Sequence, residues 1–416
     1  MRSLRTALQI GVVAAIVLLG CHVAGAQQIT WWAPNWGEAR AKVLVTQFEA
    51  ANPGITVRIE STVADGLQNR VLAALRSGSP PDLIDINNSW NIAFAQNGRL
   101  VDLSEFVRNE KIDLNDFLPA TLTTAKLGDK LYGLPYRAET VALYFNKAQY
   151  RAAGLDPAHP PQTWSELVDV SKKLTVKGSN GQEQYGFGLV GGGEVANMVT
   201  RAVPFIWMNG GNLVSADGKT ALINQPPAVE AIQAYTDFLV KYNVSPPSTL
   251  QNDGLALRRL FDPGTIAQYV SGQYDMPALK AEAPNLDYGV AVMPHPEGKP
   301  TVTLLGGWNF IVPQAATHHD ATLKFLAFLA QPAQMGMYTD TFPTRKSAFE
   351  LPRFQDPNLA AFKDALQYAR PAPPIPAWVQ IGQILYNNIQ KVLLKSATPQ
   401  QAMNAAAKQI QPLLSQ

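Results

Sequence analysis

The chain has 416 residues, 46% of them apolar and 16% charged, with a net charge of +2. That length exceeds a single hydrophobic core, so two lobes are expected, and the composition is that of a globular chain. A near-neutral balance without a Lys/Arg cluster gives no basis for a nucleic-acid or polyanion partner.

The first 26 residues read as an export signal. Arg2 and Arg5 form a basic start, residues 7–20 are an apolar core too short to span a bilayer, and Ala24-Gly25-Ala26 has the small residues of a cleavage site. The mature chain then begins at Gln27 and has no cysteine, which removes disulfides, thiol catalysis and Cys-ligated metal together. A second reading takes Leu18-Leu19-Gly20-Cys21 as a lipoprotein signal with Cys21 acylated; the Ala-Gly-Ala site is the stronger match. A soluble, exported, periplasmic protein is expected.

Residues 29–32 form a predicted strand and 33–37 a loop. Ala41, Leu44, Val45 and Phe48 recur at helical spacing, and Asn52-Pro53-Gly54 ends that helix. A strand over 55–59, a helix over 67–75 closing at Gly78, and a strand over 82–86 follow. Strands alternating with helices argue for a parallel sheet, whose ligands bind beyond the strands' carboxyl ends. The loops there, 33–37 and 87–91, are rich in Trp and Asn.

Next comes KLGDKLYGLPYRAETVALYFNK, residues 126–147. A turn at 127–129 and an extended piece ending at Pro135 precede a charged interruption at 137–140, and residues 141–145 alternate as a half-buried strand. Arg137 and Glu139 read either as a surface ion pair beside a loop or as a crossover between lobes, with Glu139 facing the gap. Thr163-Trp164-Ser165-Glu166 is a capping box, with Trp164 on the packed face. Residues 185–190 are extended, 195–208 helical, and Pro226-Pro227 starts a helix carrying Ala228, Ile232, Tyr235 and Leu239. Strands are expected at 265–270 and 288–292, then an extended stretch over 301–312 broken at Gly306-Gly307-Trp308-Asn309. The remainder is helical, with Pro-rich punctuation at 370–376.

Gly186, Gly188 and Gly191 match the dinucleotide pattern only weakly, because they lie within a strand and no acidic residue ends a second strand. Gly191-Gly192-Gly193 reads instead as room for close approach to a ligand, or as a flexible loop. None of the five histidines has metal-ligand spacing, and no nucleophile elbow is present. No cofactor is implied. Carboxylates such as Glu139 and Glu194 leave a glycosidase pair open, without spacing to support it. The recurrent signal is an aromatic ring beside an amide or charge: Trp31, Trp32, Asn35 and Trp36; Asn87, Asn88 and Trp90; Tyr136, Arg137 and Glu139; Trp207 and Asn209; Tyr274; Trp308 and Asn309; Trp378. Rings cover the C–H face of a sugar, while amides, carboxylates and guanidinium bind its hydroxyls.

The stretches ITWWAPNWGEARAKVLVTQFEAANPGITVRI, PPDLIDINNSW, LYGLPYRAETVALYFNK, GTIAQYVSGQYD, YGVAVMPHPEG, GGWNFIVP and FPTRKSA, in this order, resemble the extracellular solute-binding proteins of ABC importers, the group that includes maltose-binding protein. The resemblance covers nearly the whole mature chain. It implies a two-lobed α/β periplasmic-binding-protein fold of type II, with several crossings and a ligand cleft between lobes. The implied lobes are 27–137 plus 293–342 and 138–292 plus 343–416, with hinges near 137–140, 287–293 and 342–346. Glu139 falls at the carboxylate that holds sugar hydroxyls. Asn88, Ser89 and Trp90 match the ligand loop of the first lobe, where maltose-binding protein has charged side chains; that departure tells against a maltodextrin. Tyr274 matches a stacking position, and Asn35 with Trp36 the loop after the first strand. Gly307, Trp308 and Arg345 lie in cleft-lining segments, and Trp378 is near a late aromatic position. The implied protein is a monomeric, non-enzymatic receptor that passes a sugar or polyol to an ABC permease. A phosphorylated polyol such as glycerol 3-phosphate, clamped by Arg137, Arg201 and Arg345, is the first alternative, and an exported glycosidase the second.

Overall fold

The computed structural model describes residues 27–63, 66–177 and 183–415. The export signal and its cleavage sites lie outside the described residues.

Strand β1 (Gln27–Pro34) leads into helix α1 (Glu38–Ala51), whose buried residues are Ala41, Leu44, Val45 and Phe48. That stripe is what a 3.6-residue period places on one face. Strand β2 (Ile55–Thr62), helix α2 (Leu67–Ser77) and strand β3 (Leu83–Asn87) follow. β1 pairs in parallel with both β2 and β3. The expected parallel sheet is therefore present, with the 33–37 and 87–91 segments at its carboxyl end.

Strand β4 (Leu134–Glu139) and strand β5 (Val141–Asn146) are separated by Thr140 alone, yet belong to different sheets. The charged interruption expected at 137–140 is thus a strand almost to its end. Period-two alternation puts Arg137 and Glu139 on one face, 3.0 Å apart, where each neutralises the other's burial. The surface-pair reading fails, because Arg137 is only 6% exposed. β5 is buried along its whole length instead of on one face, because it is the central strand of its sheet.

Helix α3 (Trp164–Leu174) starts at the capping box formed by Thr163 and Glu166. Trp164 stacks on Phe205 at 4.8 Å and donates its indole N–H to the Pro294 carbonyl, a packing role as expected. Helices α4 (Val195–Met208) and α5 (Pro226–Val240), strands β6 (Gln268–Gly272) and β7 (Tyr288–Ala291) complete this region. β6 and β7 flank β5 on either side, both antiparallel. Residues 185–190 contribute only isolated bridges at Tyr185 and Gly188. Gly191 and Gly192 press on neighbouring backbone: an added Cβ would stand 2.6 Å from the Thr249 carbonyl oxygen and 2.4 Å from that of Leu250. The run serves chain packing, not a ligand or a loose loop.

Strand β8 (Thr303–Ile311) returns to the first sheet, antiparallel to β3 and β4. It runs unbroken through 306–309, with only a register shift between Trp308 and Asn309. The glycines do not break it; Gly307, at φ +152°, lets the backbones close, since a Cβ there would sit 2.1 Å from the Arg137 carbonyl oxygen. Helices α6 (His319–Leu329) and α7 (Pro332–Tyr338), strand β9 (Phe342–Pro343), strand β10 (Ala369–Pro371), and helices α8 (Trp378–Leu393) and α9 (Pro399–Ile410) finish the chain. The large sheet has the order β9-β4-β8-β3-β1-β2, with β10 beside β8.

Two large cores result. The first joins Trp31, Phe48, Tyr136, Phe310 and Phe325; the second joins Leu143, Phe205, Tyr235, Phe261 and Ile389. Each large apolar side chain so buried contributes about 1.5–3 kcal/mol relative to exposure. Residues from 293 were expected with the first lobe. Met293, Leu304 and Leu305 pack in the second core, however, and the chain enters the first at Trp308. The change falls at Gly306-Gly307, not at 287–293, because the start of β8 pairs with β10 and is covered by the second core.

Candidate functional site

Between the two cores, three chain segments meet around one guanidinium. Arg137 on β4 donates from Nε to Thr341 Oγ1 at 3.0 Å, and the same Nε lies 3.1 Å from Asp340 Oδ1. Its Nη2 is 3.0 Å from Glu139 Oε2. Burial alone would lower Arg137, but the Glu139 and Asp340 carboxylates outweigh it and hold the group above its ordinary value. Glu139 is raised, first by burial and also by Asp340, against the pull of Arg137 and Arg201. Gly306 makes room for it, since a Cβ there would come 2.7 Å from Glu139 Cγ.

Three indoles gather beside this cluster. Trp308 on β8 is level with Arg137 in the sheet and stands between Trp36 and Trp90, at ring distances of 5.5 and 6.3 Å, edge to face with both. The Arg137 guanidinium lies 4.1 Å over the Trp36 ring. Trp36 belongs to the short helical turn after β1 and Trp90 to the one after β3; both are half-buried, while Trp308 is buried. Asn35 is exposed and accepts from the Trp36 amide. Asn88 is buried, and Ser89 donates both its amide and its hydroxyl to Asn87 Oδ1, which fixes the turn.

The second core supplies Arg201 from α4 and Tyr274 from the turn after β6. Arg201 is buried and fully occupied: it donates to the Val270 and Asn197 carbonyls, to Ser271 Oγ and, at 3.3 Å, to the Tyr274 hydroxyl. Tyr274 itself is half-buried. The 88–90 turn of the first lobe comes within 8 Å of α8 of the second, Cα to Cα.

The sequence-predicted residues thus divide. Asn35, Trp36, Asn88, Ser89, Trp90, Arg137, Glu139, Gly307 and Trp308 come together at the junction, with Tyr274 on the opposing lobe. Arg345 does not join them. It donates to Asp116 at 2.7 Å and to the Ala330 carbonyl, beside the Phe117 ring. Trp378 starts α8 and is 6% exposed within the second core. The triple-arginine clamp is accordingly not assembled. Asp340 and Thr341 went unnoticed in the sequence, and Gly306 was read only as part of a break; Thr341 lies 204 residues from the arginine it binds, and no local pattern links them. A cavity of about 570 Å³ elsewhere is lined by Thr175, Tyr185, Ser245 and Lys395 among others. It shares no residue with the junction. The junction is the better candidate, because perturbed ionisable groups, rings and both lobes converge there.

Residues 33–336 match the family of bacterial extracellular solute-binding proteins. A binding protein of Brucella abortus (strain 2308) is 30% identical over 88% of each chain. The sn-glycerol-3-phosphate-binding periplasmic protein UgpB of Escherichia coli (strain K12) is 26% identical over 96% of each. Among solved structures, an ABC transporter solute-binding protein from Thermotoga lettingae bound with alpha-D-tagatose superposes with a TM-score of 0.84 at 26% identity, covering 93% of this chain and all of that one. Maltose-bound MalE3 of T. maritima gives a TM-score of 0.83 at 23% identity, covering 93% of this chain and 100% of its own, a likeness of fold.

Proposed function

The chain belongs to the bacterial extracellular solute-binding proteins of ABC importers, and from that premise we propose that it is a non-enzymatic receptor for a neutral, hydroxyl-rich ligand, a sugar or polyol, held between its lobes. Closure of the lobes on the ligand presents it to a membrane permease. The observation that carries this reading is the pairing of Glu139, on a guanidinium shared with Asp340, with the indoles of Trp36, Trp90 and Trp308. Glu139 accepts ligand hydroxyls, the indoles and Tyr274 cover C–H faces, Asn35 and Ser89 supply polar contacts at the rim, and Asn88 supplies one from its buried position. Gly307 lets β8 close on β4 beneath these groups. Arg137 orients Glu139. Arg345 has no part in the site, since its side chain is spent on Asp116 and the Ala330 carbonyl; Trp378, at the start of the helix that approaches the 88–90 turn, stays a candidate.

A phosphorylated polyol is the second reading, favoured by the similarity to glycerol-3-phosphate-binding proteins. The arginines speak against it here: Arg137 already faces two carboxylates, and Arg201 spends its donors on the protein. A glycosidase would need a second acid positioned against Glu139, and Asp340 instead shares its arginine. The receptor is exported, with Gln27 as the mature N-terminus, and acts as a monomer; a lipid on Cys21, seen by mass spectrometry, would overturn the cleavage site.

Glu139→Gln separates the readings. It keeps shape and an acceptor but loses charge, and charge-assisted bonds contribute about 1.5–3 kcal/mol against about 1 for neutral ones. Calorimetry with sugars and polyols that raise the melting temperature should show affinity reduced about tenfold. Glycerol 3-phosphate binding, left unchanged or tightened by the substitution, would establish the second reading. Turnover of a bound glycoside, lost in the variant, would establish the third.

A further inference from the structure

On the opposite face of β4 from Arg137 lies a carboxylate that ligand binding does not use. Asp85 on β3 is fully buried. Its Oδ1 accepts the Trp31 indole N–H at 2.7 Å, and its Oδ2 accepts the hydroxyls of Tyr136 at 3.0 Å and Tyr338 at 2.5 Å. All three donors are neutral. Burial pushes Asp85 up to about 7, opposed by the bonds from Tyr338, Trp31 and Tyr136. Burial also holds both tyrosines well above the usual phenol range, so they stay protonated around neutral pH. The charged groups acting on them are Arg137 and Asp340 beside Tyr136, and Arg40 beside Tyr338. From β8, Asp85 is level with the uncharged Phe310. His318, at the start of α6, pairs with Asp82, just before β3.

Tyr338 is the seat of the Trp36 turn. A Cβ on Gly37 would lie 3.2 Å from the Tyr338 ring, and the Trp36 ring stands 6.5 Å from it. Arg40 ties the two together, donating Nε to the Tyr338 carbonyl and Nη2 to the Trp36 carbonyl. A carboxylate accepts all three bonds to Asp85. A carboxylic acid carries a hydrogen of its own, so one tyrosine hydroxyl must turn from donor to acceptor.

We propose that Asp85 is a positioning residue for Trp36: its ionisation sets how Tyr338 is held, and Tyr338 sets the seat of the ring that stacks on ligand. The inference takes the role of Trp36 from the receptor reading, but its test needs no ligand, so the two can fail separately. The signal is Trp36 emission in the free protein, taken as the difference between the native chain, with its eight tryptophans, and Trp36→Phe. Between pH 5 and 9 this difference should show one transition, centred near 7. Asp85→Asn should abolish it. Tyr338→Phe, which keeps the ring and loses the hydroxyl, should shrink it at least threefold. His318→Asn should leave it in place. Overturning results are a flat native difference spectrum, a transition that survives Asp85→Asn, or one lost in His318→Asn. Should Asp85→Asn fail to fold, Tyr338→Phe decides alone: an undiminished transition with the same midpoint overturns the proposal.

Discussion

At the scale of single residues, Asp85 links the fold to pH with a definite sign. Its folded-state pKa is raised from 3.8 to about 7, so between these values the native state holds a proton that the unfolded chain has released. Its contribution to stability is therefore greatest below pH 4 and falls as pH rises to 7, by at most about 1.4 kcal/mol per unit. Glu139 and Asp275, both raised chiefly by burial, act in the same direction. Urea unfolding at pH 5 and pH 8 should show the native chain less stable at the higher pH, with the difference reduced in Asp85→Asn. An equal pH dependence in that variant would remove Asp85 as its source. The sequence offered no warning of this residue. Asp85 sits in an apolar strand pattern, and its partners Tyr136 and Tyr338 come from β4 and α7, far along the chain. Arg137 and Glu139 were legible because a charged pair interrupts two apolar extended runs. Asp340 was not, since its pairing is made only when the third crossing folds back beside the first.

Elements were legible where their determinants are local. The α3 capping box needs only Thr163 and Glu166, and both of its bonds are present. Thr163→Ala should therefore cost about 1 kcal/mol of stability. Trp164→Ala, which empties the stack on Phe205 and breaks the bond to Pro294, should cost about 3–5 kcal/mol, with ligand affinity per folded molecule unchanged. Thermal melts and calorimetry on the two variants check both figures; lost affinity in folded Trp164→Ala would move that ring to the site. β8 misled for the opposite reason. A Gly-Gly pair in an extended run reads locally as a break, yet here it answers a tertiary demand, the contact of Gly307 with the Arg137 carbonyl and of Gly306 with Glu139. Gly307→Ala meets both a 2.1 Å clash and an unfavourable φ, so it should destabilise the chain by about 3 kcal/mol or prevent folding. A melting temperature within a degree of the native value would show that the strands can part there freely.

For the whole molecule, length foretold two lobes and alternating strands and helices a parallel sheet, but the return crossing was misplaced, because apolar residues such as Leu304 and Phe310 look alike until two cores claim them separately. All three crossings now meet at Arg137: β4 carries it, β8 passes its carbonyl at Gly307, and the third segment offers Asp340 and Thr341. On the proposed reading, the lobes rotate about this one junction. A ligand shifts the open–closed balance only by its differential affinity for the closed form; moving it from 1:99 to 99:1 takes about 5.5 kcal/mol. Trp36, Trp90 and Trp308 all belong to the first lobe, so stacking on them alone favours neither form. Closure on a ligand requires a contact from the second lobe, and the proposed reading assigns it to Tyr274, half-buried and held by Arg201. X-ray scattering should therefore show the radius of gyration falling when the native chain is saturated with a binding sugar. In Tyr274→Ala, affinity should drop at least tenfold, and at saturation the radius should stay near the ligand-free value. Full compaction of the saturated variant would mean that another group of the second lobe closes the cleft, and Tyr274 would leave the site.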